Sequence, residues 1–140
     1  MQSPSTLSWI AFSFALACAG CGGSDYSPVR GVVVYPDGAA VTGLEGGTIV
    51  FETTGPDGNP VSASGAIDAQ GKFTLGTETV SDGALPGTHK VLISPPPATG
   101  DVPPPPVIAP KHEAFETSGI TVEVKEGDND VKVTVEPAGA

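Results

Sequence analysis

Apolar and polar residues alternate along this chain in short bursts, and each burst ends at glycine, proline or aspartate. Alternation of period two is the signature of a strand with one buried face. The first run is Val29 to Tyr35, ended by Pro36-Asp37-Gly38, where proline presets φ and glycine takes a positive φ. Thr48 to Thr53 follows, with Ile49, Phe51 and Thr53 on one face, and then a loop over residues 54–60. Val61 to Ile67 leads into Asp68-Ala69-Gln70-Gly71, a tight hairpin turn in which the aspartate bonds its own backbone. Lys72 to Leu75 points Phe73 and Leu75 inward, Gly83 to Gly87 makes a corner, and Thr88 to Ser94 sets Val91 and Ile93 on one face. At the end, Ile120, Val122 and Val124 alternate with Thr121, Glu123 and Lys125, and Val131, Val133 and Val135 alternate with Lys132, Thr134 and Glu136. With Glu126 to Asp130 turning between them, these two runs predict a half-buried antiparallel hairpin. No segment after residue 20 has a helical period. Seven strands without a parallel crossover predict an all-β, seven-stranded Greek-key sandwich.

Two stretches break the alternation. Pro95 to Pro110 holds eight prolines and cannot be a central strand, so it predicts an extended, polyproline-like surface loop. Leu7 to Ala19 is a short, mainly apolar stretch of about a dozen residues. A membrane-spanning helix needs roughly 20, whereas the core of a secretory signal needs about 7–15. The stretch runs into Ala17-Cys18-Ala19-Gly20-Cys21-Gly22-Gly23-Ser24. Small residues let a peptidase approach the backbone, and Ala-Gly-Cys-Gly resembles the bacterial lipobox, in which a diacylglycerol is attached to the cysteine and the chain is cut just before it. Cys21 is preferred because a glycine-rich tether follows it; Cys18 is the alternative. Neither has leucine three places upstream, and Met1 to Ser8 carries no lysine or arginine. The expected organisation is a lipoprotein signal peptide over 1–20, a tether over 21–27 and a β-sandwich domain over 28–137.

Charge and cysteine content narrow the function. All six basic and all sixteen acidic residues follow Cys21, so the exported part carries the full formal charge of −10. An acidic surface repels phosphate backbones and anionic headgroups, which argues against nucleic-acid partners and makes a covalent lipid the expected hold on a membrane. A redox or metal site built on the Cys18-x-x-Cys21 spacing would need a folded scaffold around the pair, and these cysteines sit at the end of an apolar leader.

Gly31 to Tyr35, Asp37-Gly38, Val41-Thr42-Gly43, Gly47 to Phe51, Asp68-x-x-Gly71-x-Phe73-x-Leu75 and Pro86-Gly87-x-His89-x-Val91 together resemble carboxypeptidase regulatory-like domains. Pro110-Lys111-His112, Thr117 to Val122 and Glu126-Gly127 are similar to short secreted lipoproteins of that group from planctomycete-type bacteria. The resemblance covers about residues 28 to 137. It implies a transthyretin-like (prealbumin-like) sandwich and an accessory module without known enzymatic activity. His89 and His112 stand where the family usually has tyrosine.

His89 shares a face with Val91 and Ile93, which predicts a hydrogen-bonded core residue and not a ligand or base. His112-Glu113-Ala114-Phe115-Glu116 lacks the second histidine of a zinc helix, and Pro110 predicts a loop there. Asp128 and Asp130 cluster oxygens, but the span is too short for an EF-hand, so a polar turn is expected. No G-x-S-x-G elbow and no phosphate-cradling loop with lysine occurs. The chain ends Glu136-Pro137-Ala138-Gly139-Ala140, unlike the Tyr-Arg-Gly-Ser end of transthyretin-like hydroxyisourate hydrolases. The expectation is a non-enzymatic lipoprotein without metal or cofactor. It would be lipid-anchored to the bacterial cell envelope at the outer membrane, facing the periplasm or the exterior. An unknown protein or polysaccharide is its expected partner. The alternative is a carbohydrate- or peptide-binding module that uses the loops at one end of the sandwich.

Overall fold

The computed structural model describes residues 25–139. Seven strands form two sheets. One sheet has the order β4-β1-β7, from β1 (Val29–Val34), β4 (Lys72–Thr74) and β7 (Asn129–Thr134). The other has the order β3-β2-β5-β6, from β2 (Thr48–Thr54), β3 (Pro60–Ala66), β5 (Gly87–Ser94) and β6 (Ile120–Val124). Every expected strand forms, with its ends within a residue or two of the sequence reading.

Burial follows the alternation. Ile49, Phe51, Val91 and Ile93 from the larger sheet face Val29, Val33, Phe73 and Val133 from the smaller, all buried in one core. Phe51 stands at its centre, 6.0 Å from the ring of Phe73 across the sheets and 5.8 Å from the ring of His89. Gly31 makes room for this packing. It is paired with Phe73 in the β1–β4 register, and a Cβ there would come within 2.7 Å of the Phe73 ring. Burying a phenylalanine side chain contributes about 1.5–3 kcal/mol, so each ring matters to the packing of the two sheets.

The expected terminal hairpin does not form. β6 pairs antiparallel with β5, whereas β7 crosses to the other sheet and pairs parallel with β1, Val29 opposite Asn129 through Val34 opposite Thr134. The fold therefore contains a parallel pair that the sequence reading excluded. The reason lies in the connection. Asn129 is buried, and its side chain donates to the carbonyls of Lys125 (2.7 Å), Gly127 (2.9 Å) and Pro28 (3.2 Å) while its Oδ1 accepts the Lys125 N–H at 2.9 Å. These bonds satisfy the backbone of a corner and tie it to the residue preceding β1. The Asp68 turn forms as expected, its Oδ1 accepting the N–H groups of Gln70 and Lys72, both at 2.9 Å. It too joins strands of different sheets, β3 and β4, and so is a corner and not the turn of a simple hairpin.

Of the surface loop expected over Pro95 to Pro110, Pro95 to Pro106 lies on the surface outside any strand, whereas Ile108 and Ala109 are buried. Beyond it the chain is pinned. The Tyr35 hydroxyl donates to the Val107 carbonyl at 3.0 Å, and Ile108 bridges to Pro137. Two single helical turns follow, Pro110–Glu113 and Phe115–Ser118, neither of which has a length that periodicity reveals. Among the described residues no helix is long and apolar enough to cross a membrane.

Replacing Asn129 with alanine removes its side-chain hydrogen bonds to Lys125, Gly127 and Pro28 and should cost about 1–3 kcal/mol in urea unfolding. Alanine at the exposed Asp128 should change stability by no more than about 0.5 kcal/mol. Equal effects at the two positions would contradict this account of the corner.

Candidate functional site

Cys21 and Cys18, the residues that carry the anchoring expectation, lie outside the described residues. The described chain begins at residue 25, inside the tether expected over 21–27, whose last two residues, Tyr26 and Ser27, are bonded into the fold. Ser27 is buried and exchanges two backbone hydrogen bonds with Ala84, at 2.8 and 3.0 Å. The Tyr26 hydroxyl donates to the Glu78 carboxylate at 3.0 Å, and this bond holds the phenol above its usual pKa. The chain therefore enters the sandwich along the loop between β4 and β5.

That loop, residues 76–83, is built around one carboxylate. Asp82 accepts the backbone N–H groups of Thr77, Glu78 and Thr79, and the Thr77 hydroxyl donates to the Gly83 carbonyl at 2.7 Å. Desolvation works against the ionised Asp82, but the three N–H donors outweigh it and keep the carboxyl below its usual range. Ser81 adopts φ 63°, a left-handed conformation that costs a residue other than glycine free energy. Between these fixed points Val80 stands out in solvent, 95% exposed.

The two histidines serve the fold. His89 is 1% exposed, and its Nε2 lies 2.7 Å from the Leu85 carbonyl, so the neutral ring carries its proton there. Its Nδ1 is buried without a hydrogen-bond partner. Desolvation depresses its pKa, and the Leu85 carbonyl offsets this only in part. His112 is also buried, in the 3-10 turn and not in a loop as the sequence reading had it. Its Nδ1–H donates to the Ser118 carbonyl at 3.1 Å, and Nε2 accepts the Glu136 N–H at 3.0 Å. One ring thus fastens the helical turns to the chain end. Asp128 and Asp130 are exposed at the corner that Asn129 organises. None of these four residues converges with another on a shared pocket.

What the structure does bring together is a trough of about 650 Å³ over the outer face of the β4-β1-β7 sheet. The outward residues fall in rows set by the register. Thr74, Arg30 and Asp130 stand side by side, and next to them Lys72, Val32 and Lys132. Arg30, Lys72 and Lys132 are exposed. They are three of the chain's six basic residues, and none has an ion-pair partner within 4 Å among the described residues, where Lys111 and Glu136 make such a pair at 2.8 Å. Asp68 and Asp130 also line the trough, Asp68 with its Oδ1 committed to the turn, and Val80 overhangs its rim. The sequence reading missed this grouping, because adjacency across three strands appears only once the sheet order is known. A second, smaller cavity of about 220 Å³ lies between the proline-rich segment and Leu44.

The geometry defines a mostly β, two-sheet sandwich. No family model matches the chain, and no curated protein matches it. Among solved structures it is similar to a DUF3823 family protein from Parabacteroides merdae ATCC 43184, with TM-score 0.47 and 23% identity over 80% of this chain and 46% of that one. A DUF3823 family protein from Bacteroides ovatus ATCC 8483 gives TM-score 0.45 and 20% identity over 80% and 45% of the two chains. The chain spans less than half the length of either.

His89 sets a pH dependence whose sign is determined. With the folded pKa below the unfolded value of 6.5, the unfolded chain takes up the proton first. The stability due to neutral His89 is complete above pH 6.5 and is lost as the pH falls toward the folded value. Urea midpoints measured across this range should fall on acidification, and His89→Gln should reduce the fall. An unchanged slope in the variant would remove His89 from the account.

Proposed function

We propose that this chain is an exported bacterial lipoprotein whose sandwich is a non-enzymatic structural or interaction module, held at the cell envelope by lipid on Cys21 and with Cys18 as the alternative site. The fold we assign it is the transthyretin-like Greek-key arrangement of carboxypeptidase regulatory-like domains. The order β3-β2-β5-β6, in which β5 returns to lie beside β2, supports that assignment. The observation that carries the lipoprotein reading is the start of the domain. Ser27 is already hydrogen-bonded into the sandwich, so only a few residues of sequence separate Cys21 from the folded body. The non-enzymatic part of the reading is supported by the burial of both histidines and the hydrogen bonds each makes inside the fold.

Radiolabelled palmitate tests the anchor. The wild type should incorporate label, Cys21→Ala should lose it, and Cys18→Ala should retain it. Label surviving Cys21→Ala but lost in Cys18→Ala moves the anchor to Cys18. Label unaffected by either change overturns the reading.

A further inference from the structure

Three independent features meet on one side of the molecule. The first is charge. In a chain of formal charge −10, Arg30, Lys72 and Lys132 collect on the outer face of the β4-β1-β7 sheet. Asp130 stands beside Arg30 and Asp68 lies at the trough's edge, so the face is locally mixed, yet half of the chain's cations are there. The second is apolar. Val80 overhangs the same trough, fully in solvent, on a loop whose Asp82 carboxylate and left-handed Ser81 hold it outward. The left-handed residue is Ser81, the neighbour of Val80, and it turns the loop where the valine projects. The third is the chain's point of entry. Tyr26 bonds Glu78 on the Val80 loop, and Pro28 leads directly into β1, the central strand of the cationic face. Six Cα steps separate Cys21 from Ser27, a reach of at most roughly 22 Å.

We propose that this face is the membrane-docking surface of the domain: Arg30, Lys72 and Lys132 rest on the anionic headgroups of the leaflet that holds the lipid, and Val80 enters the interfacial layer. The proposal rests on the lipoprotein reading and adds an orientation to it. Each cation near an anionic bilayer surface contributes favourably, and the attraction fades within a Debye length, about 8 Å at physiological ionic strength. Three basic side chains and one valine are too few to recruit an acidic protein from solution. The tether removes that requirement, because it fixes the domain at a high effective concentration beside the bilayer and leaves the cationic face only to choose the orientation.

The test uses the full chain, expressed, processed and purified in its lipidated form. Trp9 is the chain's one tryptophan and lies in the leader, so Val80→Trp places a single reporter in the processed protein. Thr121→Trp, on the outward face of the other sheet, is the control. Each is reconstituted into vesicles of brominated phosphatidylcholine with or without phosphatidylglycerol. Val80→Trp should be strongly quenched when phosphatidylglycerol is present, and Thr121→Trp should not. The quenching should be lost without the anionic lipid, and also when Arg30→Gln, Lys72→Gln and Lys132→Gln are added to Val80→Trp. Equal quenching of the two reporters, or quenching indifferent to lipid charge, overturns the proposal. Protection of Val80→Trp from acrylamide in detergent, before any vesicle is added, would assign the surface to a second copy of the chain and also overturn it. Palmitate incorporation measured on the same preparation separates the two readings. Labelled protein with an unquenched reporter overturns docking alone, and unlabelled protein overturns the anchor and docking together.

Discussion

The parallel pairing of β1 with β7 is the constraint on which the rest of the structure depends. The first and last strands of the domain lie side by side, so the sandwich closes only when the whole chain has been laid down. Between them the chain crosses from one sheet to the other at four connections: β1 to β2, β3 to β4, β4 to β5 and β6 to β7. The ladder is held at both ends. The Asn129 N–H donates to the Pro28 carbonyl and the Val135 N–H to the Val34 carbonyl, each at 2.9 Å. β1 also supplies Gly31, which admits the Phe73 ring toward Phe51, and on its other face Arg30 and Val32. One strand thus serves the core, the closure of the fold and the exposed trough.

Strand positions and their buried faces were legible in the sequence, because alternation depends only on which face leaves water. Partners were not. Ile120 to Val124 and Val131 to Val135 alternate as the two arms of a hairpin would, and a five-residue connection suits a hairpin as well as a corner between sheets. What separates the two is Asn129, whose side chain reaches 101 residues back to Pro28. Such a contact has no local pattern. Asp82 is a similar case. An aspartate before a glycine marks a turn, but only the folded loop shows that it gathers three N–H groups and sets Val80 outward.

The candidate chemistry was legible to the same degree. His89 could be placed in the core from its neighbours on the strand, since Val91 and Ile93 share its face and are buried with it. His112 could not, because its partners, Ser118 and Glu136, are brought to it by two helical turns and by the chain end. A net charge of −10 concealed the cationic face altogether. Composition averages over the surface, whereas the register of three strands gathers Arg30, Lys72 and Lys132 onto one side of it.

Native-state hydrogen exchange tests the central claim most directly, since it resolves which amides open only when the whole domain unfolds. If the β1–β7 pair closes the sandwich, the amides of Asn129 and Val135 should exchange with the same free energy and denaturant dependence as those of Phe51 and Val91 in the larger sheet. Exchange of Asn129 and Val135 at distinctly lower free energy, while Phe51 and Val91 stay protected, would show that β7 detaches from an otherwise intact sandwich and would contradict the account.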